Sequence, residues 1–139
     1  MAETPKRLLP VVTPPTEAFW TGGADGVLRI LRCRTCGHWI HPPAPVCPVD
    51  LSRDVAPEPV SGRGTVYSFT FNHQPWNPDV PTPYAIVLVE LEEQPGLRLV
   101  SNLVDVDAGE VRVGLPVAVR FEDAGNGVHV PLFGPRSGP

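Results

Sequence analysis

The second half of the chain alternates apolar and polar positions with a period of two. From Gly64 to His73, Tyr67, Phe69 and Phe71 fall on one face; from Tyr84 to Glu92, Ala85, Val87, Val89 and Leu91 share a face while Ile86 and Leu88 keep the other partly apolar. A third run, Leu97 to Val106, follows the Gln94-Pro95-Gly96 turn as the return arm of a hairpin. Pro116 to Phe121 alternates Val117, Val119 and Phe121, and Val128 to Phe133 follows Gly125-Asn126-Gly127. Period two marks strands with one buried face. Five such strands, with a non-strand segment at Ala108 to Gly114 between the third and fourth, predict a five-stranded Greek-key barrel of the OB type, with a small sandwich as the competing arrangement. Long helical periodicity is absent, which argues against an α/β fold.

The first half follows another rule. Met1 to Val12 carries Lys6, Arg7 and two prolines without periodicity. Thr13-Pro14-Pro15-Thr16-Glu17 reads as a helix start with a hydroxyl cap and an acid in the first turn, and Gly22-Gly23 as its end. Consecutive helical side chains diverge by about 100°, so Phe19 and Trp20 cannot both face one core across so short a helix. Either one of them meets a partner, or both fold back onto neighbouring parts of the chain. Gly26 to Arg32 reads as a strand feeding into Cys33, and Leu51 to Val60, with Pro57 and Pro59, as a linker or an irregular bridge into the second module. The expected division is an N-terminal arm and short helix over 1–25, a ribbon module and linker over 26–60, and the barrel over 61–139.

Cys33-Arg34-Thr35-Cys36-Gly37 and Cys47-Pro48-Val49-Asp50 carry the clearest chemistry. Two turns that each offer ligands three apart can converge on one tetrahedral ion, the layout of a zinc ribbon. Three positions are cysteine and the fourth is Asp50, a harder donor. His38 or His41 could stand in as fourth ligand, although His38 follows the first knuckle closely. The bland alternative is a degenerate ribbon held by Trp39, Ile40 and the prolines. A redox Cys-x-x-Cys lacks the βαβ setting such motifs need.

Composition narrows the function classes. A chain of 139 residues, 42% hydrophobic, buries one core and an appendage rather than two full domains. A net charge of −4 leaves little cationic surface for nucleic acid or anionic membrane. All three cysteines lie between positions 33 and 47, which fits metal binding in a reducing compartment better than a disulfide framework. No long apolar run and no basic start leading into one occurs, so neither a membrane span nor a signal peptide is expected, and the cytoplasm is the default location.

Read together, Phe19-Trp20, Gly26-Val27-Leu28, Cys33-x-x-Cys36-Gly37, Pro42-Pro43, Cys47-Pro48, Gly64-Thr65-Val66-Tyr67-Ser68-Phe69-Thr70, Pro83-Tyr84, Val89-Glu90-Leu91 and Gly114-Leu115-Pro116-Val117 resemble the acyl-CoA-associated zinc-ribbon/OB-fold family, a former domain of unknown function. The resemblance runs in order from Thr16 to Phe133. It implies an all-β chain with a short N-terminal helix, a rubredoxin-like zinc ribbon and a five-stranded OB barrel. It further implies a non-catalytic companion of a thiolase-like acyl-CoA enzyme, such as a retro-aldolase of steroid side-chain degradation. Zinc would be bound by the chain itself and acyl-CoA through the partner complex, a two-plus-two hetero-oligomer being the expected assembly. A MaoC-type hydratase is the alternative partner. The family usually carries a fourth Cys where this chain has Asp50.

His73-Gln74-Pro75-Trp76-Asn77-Pro78-Asp79-Val80-Pro81-Thr82-Pro83 would join the first two barrel strands, where OB proteins contact ligands. Trp76 among four prolines is stiff before docking and a suitable interface anchor. The candidate contact residues are therefore Phe19, Trp20, His73 and Trp76. The bland alternative is that Trp76 caps the barrel end. Independent catalysis would rest on His73 or His129 with Asp79, Glu90 or Asp105, but no nucleophile motif or phosphate loop accompanies them. Single-strand nucleic-acid binding would need Tyr67, Phe69 and Phe71 on the outside, whereas their common parity suits a barrel core.

Overall fold

A computed structural model describes residues 7–137 of the chain. The order of elements is α1 (Glu17–Thr21), a 3₁₀ turn (Gly22–Asp25), β1 (Leu28–Cys33), β2 (Trp39–Ile40), β3 (Val55–Val60), β4 (Arg63–Asn72), β5 (Tyr84–Leu91) and β6 (Arg98–Leu103). A second 3₁₀ turn (Ala108–Glu110), β7 (Pro116–Gly125) and β8 (Val128–Pro135) complete it. Strands β2-β1-β3 form a small antiparallel sheet, and β4-β5-β6-β8-β7 close into a barrel. The closure includes one parallel step, where Leu103 pairs with Phe133 and the Val104 N–H donates to the Phe133 carbonyl at 2.8 Å. This is the five-stranded Greek-key barrel that the period-two runs predict.

The second part of the stretch expected to be a linker, Val55–Val60, is instead a strand, while residues 51–54 are irregular. β3 pairs with the whole of β1, from Leu28 opposite Val60 to Cys33 opposite Val55. Its prolines hide it from propensity reading, and the register explains why they are tolerated. The Arg34 N–H bonds to the Asp54 carbonyl at 2.8 Å, so residues 54, 56, 58 and 60 face β1 with their backbone groups. Pro57 and Pro59 fall on the alternate parity, where the missing donor points to the open edge.

The ribbon sheet is buried on both faces. Leu28, Ile30, Trp39 and Val60 join Val66, Val87, Val89, Leu91, Val117 and Phe133 in a core shared with the barrel. Opposite them, Cys33 and Ile40 pack with Cys47, Leu31, Ala44 and Val55 beneath the knuckles.

The α-helix ends where expected, with Gly22 as its C-cap, and the chain then tightens into the 3₁₀ turn, which stops at Gly26, whose φ is 72°. Gly23 also permits close approach: a Cβ there would lie 2.5 Å from the His129 Cβ and the Phe121 ring. The expected hydroxyl cap, by contrast, does not form. Thr16 occupies the N-cap without a capping bond, because its Oγ1 accepts the Thr13 N–H at 3.0 Å across the Pro14-Pro15 turn.

The shared parity of Tyr67, Phe69 and Phe71 fails at a β-bulge. Val66 pairs with Val89 and Ser68 with Leu88, leaving Tyr67 as the extra residue and reversing the inward parity of β4. Val66 therefore points in before the bulge, while Phe69 and Phe71 pack on the core after it. Tyr67 stays on the outside, 47% exposed, under the Arg98 guanidinium at 3.7 Å. One ring, not three, remains for stacking on that face.

Candidate metal centre and interaction surface

The metal site begins with two near-equivalent turns. In the first, the Gly37 N–H bonds to the Cys33 carbonyl at 2.9 Å; in the second, the Leu51 N–H bonds to the Cys47 carbonyl at 2.9 Å. Each chain reversal needs a left-handed residue after its second ligand position, Gly37 at φ 84° and Leu51 at φ 61°. The Cys36 N–H approaches the Cys33 sulfur at 3.5 Å and the Val49 N–H the Cys47 sulfur at 3.4 Å, so each turn points a backbone donor at its first sulfur. Arg32 steadies the first turn, stacking on Trp39 at 4.5 Å and donating through Nε to the Gly37 carbonyl at 2.9 Å.

The turns bring Cys33, Cys36, Cys47 and Asp50 together, with one ligand atom from each within 4.8 Å of the others. His38 and His41 are outside this cluster. Four groups that each ionise to an anion stand in one small space, and charge alone makes the set unfavourable without a cation. The Cys36 thiol is accordingly pushed up to about 11: the His38 backbone pulls it down, but desolvation and the crowding of Cys33, Cys47 and Asp50 outweigh that. Asp50 is held below the usual carboxylate range, chiefly by the Ser52 N–H, and Cys33 below the usual thiol value, chiefly by the Cys36 N–H. The donor set fits zinc: three soft sulfurs and one carboxylate gathered within 4.8 Å of one another. These residues would hold it, and the ion would act as a cross-link between the turns.

The aromatic candidates separate. Phe19 turns inward, its ring 5.2 Å from that of His41 and edge-on to Trp20 at 4.9 Å. Trp20 faces the other way, toward a half-open cavity of about 430 Å³ at the barrel end, which Trp76, Val80, Tyr84, Leu103 and Val130 also line. Trp76 remains 79% exposed at its rim. His73 is exposed and does not line this cavity. The two tryptophans, more than fifty positions apart in sequence, thus border one apolar hollow. Arg7 closes its side through Nε to Glu122 at 2.6 Å and Nη1 to Asn102 at 3.0 Å.

Sequence reasoning missed Arg7 in this role, and also Gln94. The Gln94 side-chain amide accepts from the Trp39 N–H at 2.9 Å and donates to the Trp39 carbonyl at 3.0 Å. A single sequence gives no signal for such a long-range pair; Gln94 reads only as a turn residue. Among the described residues, no helix is long and apolar enough to cross a membrane.

Comparison with known proteins agrees with this geometry. Residues 20–56 match the domain described as the ChsH2 rubredoxin-like zinc ribbon, and residues 57–122 match the ChsH2 C-terminal OB-fold domain. The chain is 38% identical over 120 residues to a probable enoyl-CoA hydratase alpha subunit of Thermomonospora curvata. It is 40% identical over 108 residues to the 3-oxo-4,17-pregnadiene-20-carboxyl-CoA hydratase alpha subunit of Mycobacterium tuberculosis. These matches take in 86% and 78% of this chain but 37% and 34% of the relatives, so it spans about a third of their length. A DUF35 domain-containing scaffold protein of Methanocaldococcus jannaschii is 33% identical over 104 residues, 70% of this chain and 72% of that protein. Among solved structures, a chain of an Ltp2-ChsH2(DUF35) aldolase superposes with a TM-score of 0.79 at 37% identity, covering 91% of this chain and 98% of that one. A DUF35 protein of Sulfolobus solfataricus shares the fold, with a TM-score of 0.56 at 17% identity over 88% of this chain and 86% of that one. Two matched ChsH2 domains in the order that the ribbon and barrel occupy, and a relative matched over most of its length, make this chain a member of the DUF35 family of ChsH2-type zinc-ribbon/OB-fold proteins.

Proposed function

We propose that this chain is a non-catalytic auxiliary subunit that docks on a thiolase-like acyl-CoA enzyme, stabilises it and helps shape its acyl-CoA channel. The observation that carries the reading is the likeness, over nearly the whole of both chains, to the DUF35 component of an Ltp2-ChsH2 aldolase. The partner would then be a retro-aldolase of steroid side-chain degradation, in a cytoplasmic two-plus-two assembly, with the reacting groups on the partner. The site supports this division of labour. Among the described residues, the clustered His, Cys, Asp and Glu side chains are the knuckle set, which fits a structural ion. The exposed Trp76 and the cavity it shares with Trp20 offer an apolar contact of the kind that anchors interfaces.

A second reading has its own support. The hydratase alpha subunits of T. curvata and M. tuberculosis carry this module as about a third of a longer chain, 37% and 34% of their lengths. A MaoC-type hydratase is therefore the alternative partner. Co-expression with a thiolase-like protein and, separately, with a MaoC-type protein, followed by size analysis, distinguishes the two. The expected result is a stable complex with the thiolase-like protein and retro-aldol cleavage of a β-hydroxyacyl-CoA that drops when this chain is omitted. A thiolase-like partner that is soluble and equally active alone would overturn the proposal.

A further inference from the structure

We propose that the knuckles take one divalent ion through three thiolates and a single oxygen of Asp50, and that Asp50 is the ligand that lets go, making the ion exchangeable. This rests on the zinc reading above and adds how the ion is held and from which side it leaves.

The spacing carries the coordination mode. A tetrahedral ion with metal–sulfur bonds near 2.3 Å sets its sulfurs about 3.8 Å apart, while a metal–oxygen bond near 2.05 Å shortens each sulfur–oxygen edge to about 3.6 Å. The Cys36 and Cys47 sulfurs are 3.7 Å apart, and the Cys33 sulfur is 3.6 Å from the Asp50 oxygens. These two opposite edges have the lengths of a mixed sulfur–oxygen tetrahedron, and the remaining edges fall within 4.8 Å. Oδ1 of Asp50 already accepts the Ser52 N–H at 2.9 Å, and the Ser52 hydroxyl is 3.0 Å from that of Thr35 across the two turns. Binding the metal through Oδ2 alone keeps Oδ1 wholly for its Ser52 partner and holds the carboxylate in place.

The direction of exchange follows from burial. Cys33 and Cys47 are fully buried, whereas Cys36 and Asp50 are exposed. An incoming donor reaches the ion across the Cys36–Asp50 edge and bonds to it as the Oδ2–metal bond breaks. Each electron pair stays with its own donor atom, so no oxidant or reductant is needed. A carboxylate is also the harder and less zinc-preferring donor of the set. Once released, Asp50 remains tethered by Ser52 and can rebind.

The test uses the full chain loaded with Co²⁺, and separately with Zn²⁺ challenged by a chromogenic chelator, in the natural sequence, Asp50→Cys and Asp50→Ala. The sulfur-to-cobalt charge-transfer band of the natural chain should be roughly three quarters as intense as that of Asp50→Cys, as three thiolates are to four. Asp50→Ala should keep that band but shift the visible cobalt bands, since an oxygen donor has changed. Zinc release should slow about tenfold or more in Asp50→Cys. Equal charge-transfer intensity in the natural chain and Asp50→Cys, or release rates indifferent to residue 50, would overturn this inference alone. Absence of a tetrahedral cobalt spectrum from both would overturn the zinc reading itself.

Discussion

Gln94, at the tip of a barrel hairpin, grips the backbone of Trp39 in the ribbon through two hydrogen bonds of 2.9 and 3.0 Å. The side-chain amide imitates a strand partner and supplies both the donor and the acceptor that Trp39 would otherwise leave unmet at the sheet margin. Gln94→Ala should therefore cost about 1–2 kcal/mol. Equilibrium denaturation would measure it, and Trp39 emission should shift to the red as the ribbon loosens on the barrel. A variant with unchanged stability would show that the shared core alone fixes the two parts.

Zinc content gives a second prediction. Protein purified without a metal-affinity tag should contain about one zinc per chain, and Cys47→Ser should lose it. Adding zinc to chelator-treated protein should raise stability by about 2.7 kcal/mol when free zinc reaches about 100 times its Kd. A sub-stoichiometric preparation in which all three thiols titrate freely would contradict the metal centre.

Trp76→Ala separates docking from folding. The side chain is 79% exposed, so its loss should alter stability by no more than about 0.5 kcal/mol. In a complex with a thiolase-like partner, the same change should weaken association by about 2 kcal/mol, the scale of an interface anchor. Melting temperature and pull-down affinity, compared on one preparation, check the ordering. A larger fall in melting temperature than in affinity would mark Trp76 as a barrel cap.

His41 introduces a pH dependence. Burial against Phe19 and the ribbon holds its pKa below the ordinary value of 6.5. Above 6.5 the imidazole is neutral in folded and unfolded chains alike and contributes nothing. Below 6.5 the unfolded chain takes up a proton that the folded chain refuses, so stability falls until the pH reaches the depressed folded value. His41→Phe should keep the ring contact and flatten this part of the curve, measured by denaturation at pH 7.5 and 5.5. An identical slope in both proteins would locate the acid sensitivity elsewhere, with the thiolates as the first place to look.

The barrel was legible because its core strands obey period two, and the knuckles because cysteine is scarce and spacing constrains it. Legibility stopped where backbone geometry overruled pattern. A bulge costs one residue and reverses the facing of everything beyond it, so Tyr67 and Phe69 look alike in sequence and lie on opposite sides of the sheet. Pro57 and Pro59 depress strand propensity, yet their parity on an edge strand makes them harmless. At the candidate site, the spacing of the two knuckles announced that Cys33, Cys36, Cys47 and Asp50 would cluster, while leaving His38 and His41 open as a fourth donor. The pairing of Trp20 with Trp76, the Arg7 closure and the Gln94 grip join residues far apart in sequence, and nothing local announces them.

The free edge of β3 has a last consequence. Pro57 and Pro59 offer no donor there, and the Val55 N–H is spent on the Arg53 carbonyl at 3.0 Å. Along its outward margin the strand can accept hydrogen bonds but has none left to give. A neighbouring β-segment could form only half of a ladder, so ribbon sheets from different molecules are poor templates for one another. The fold thereby guards this edge against edge-to-edge polymerisation.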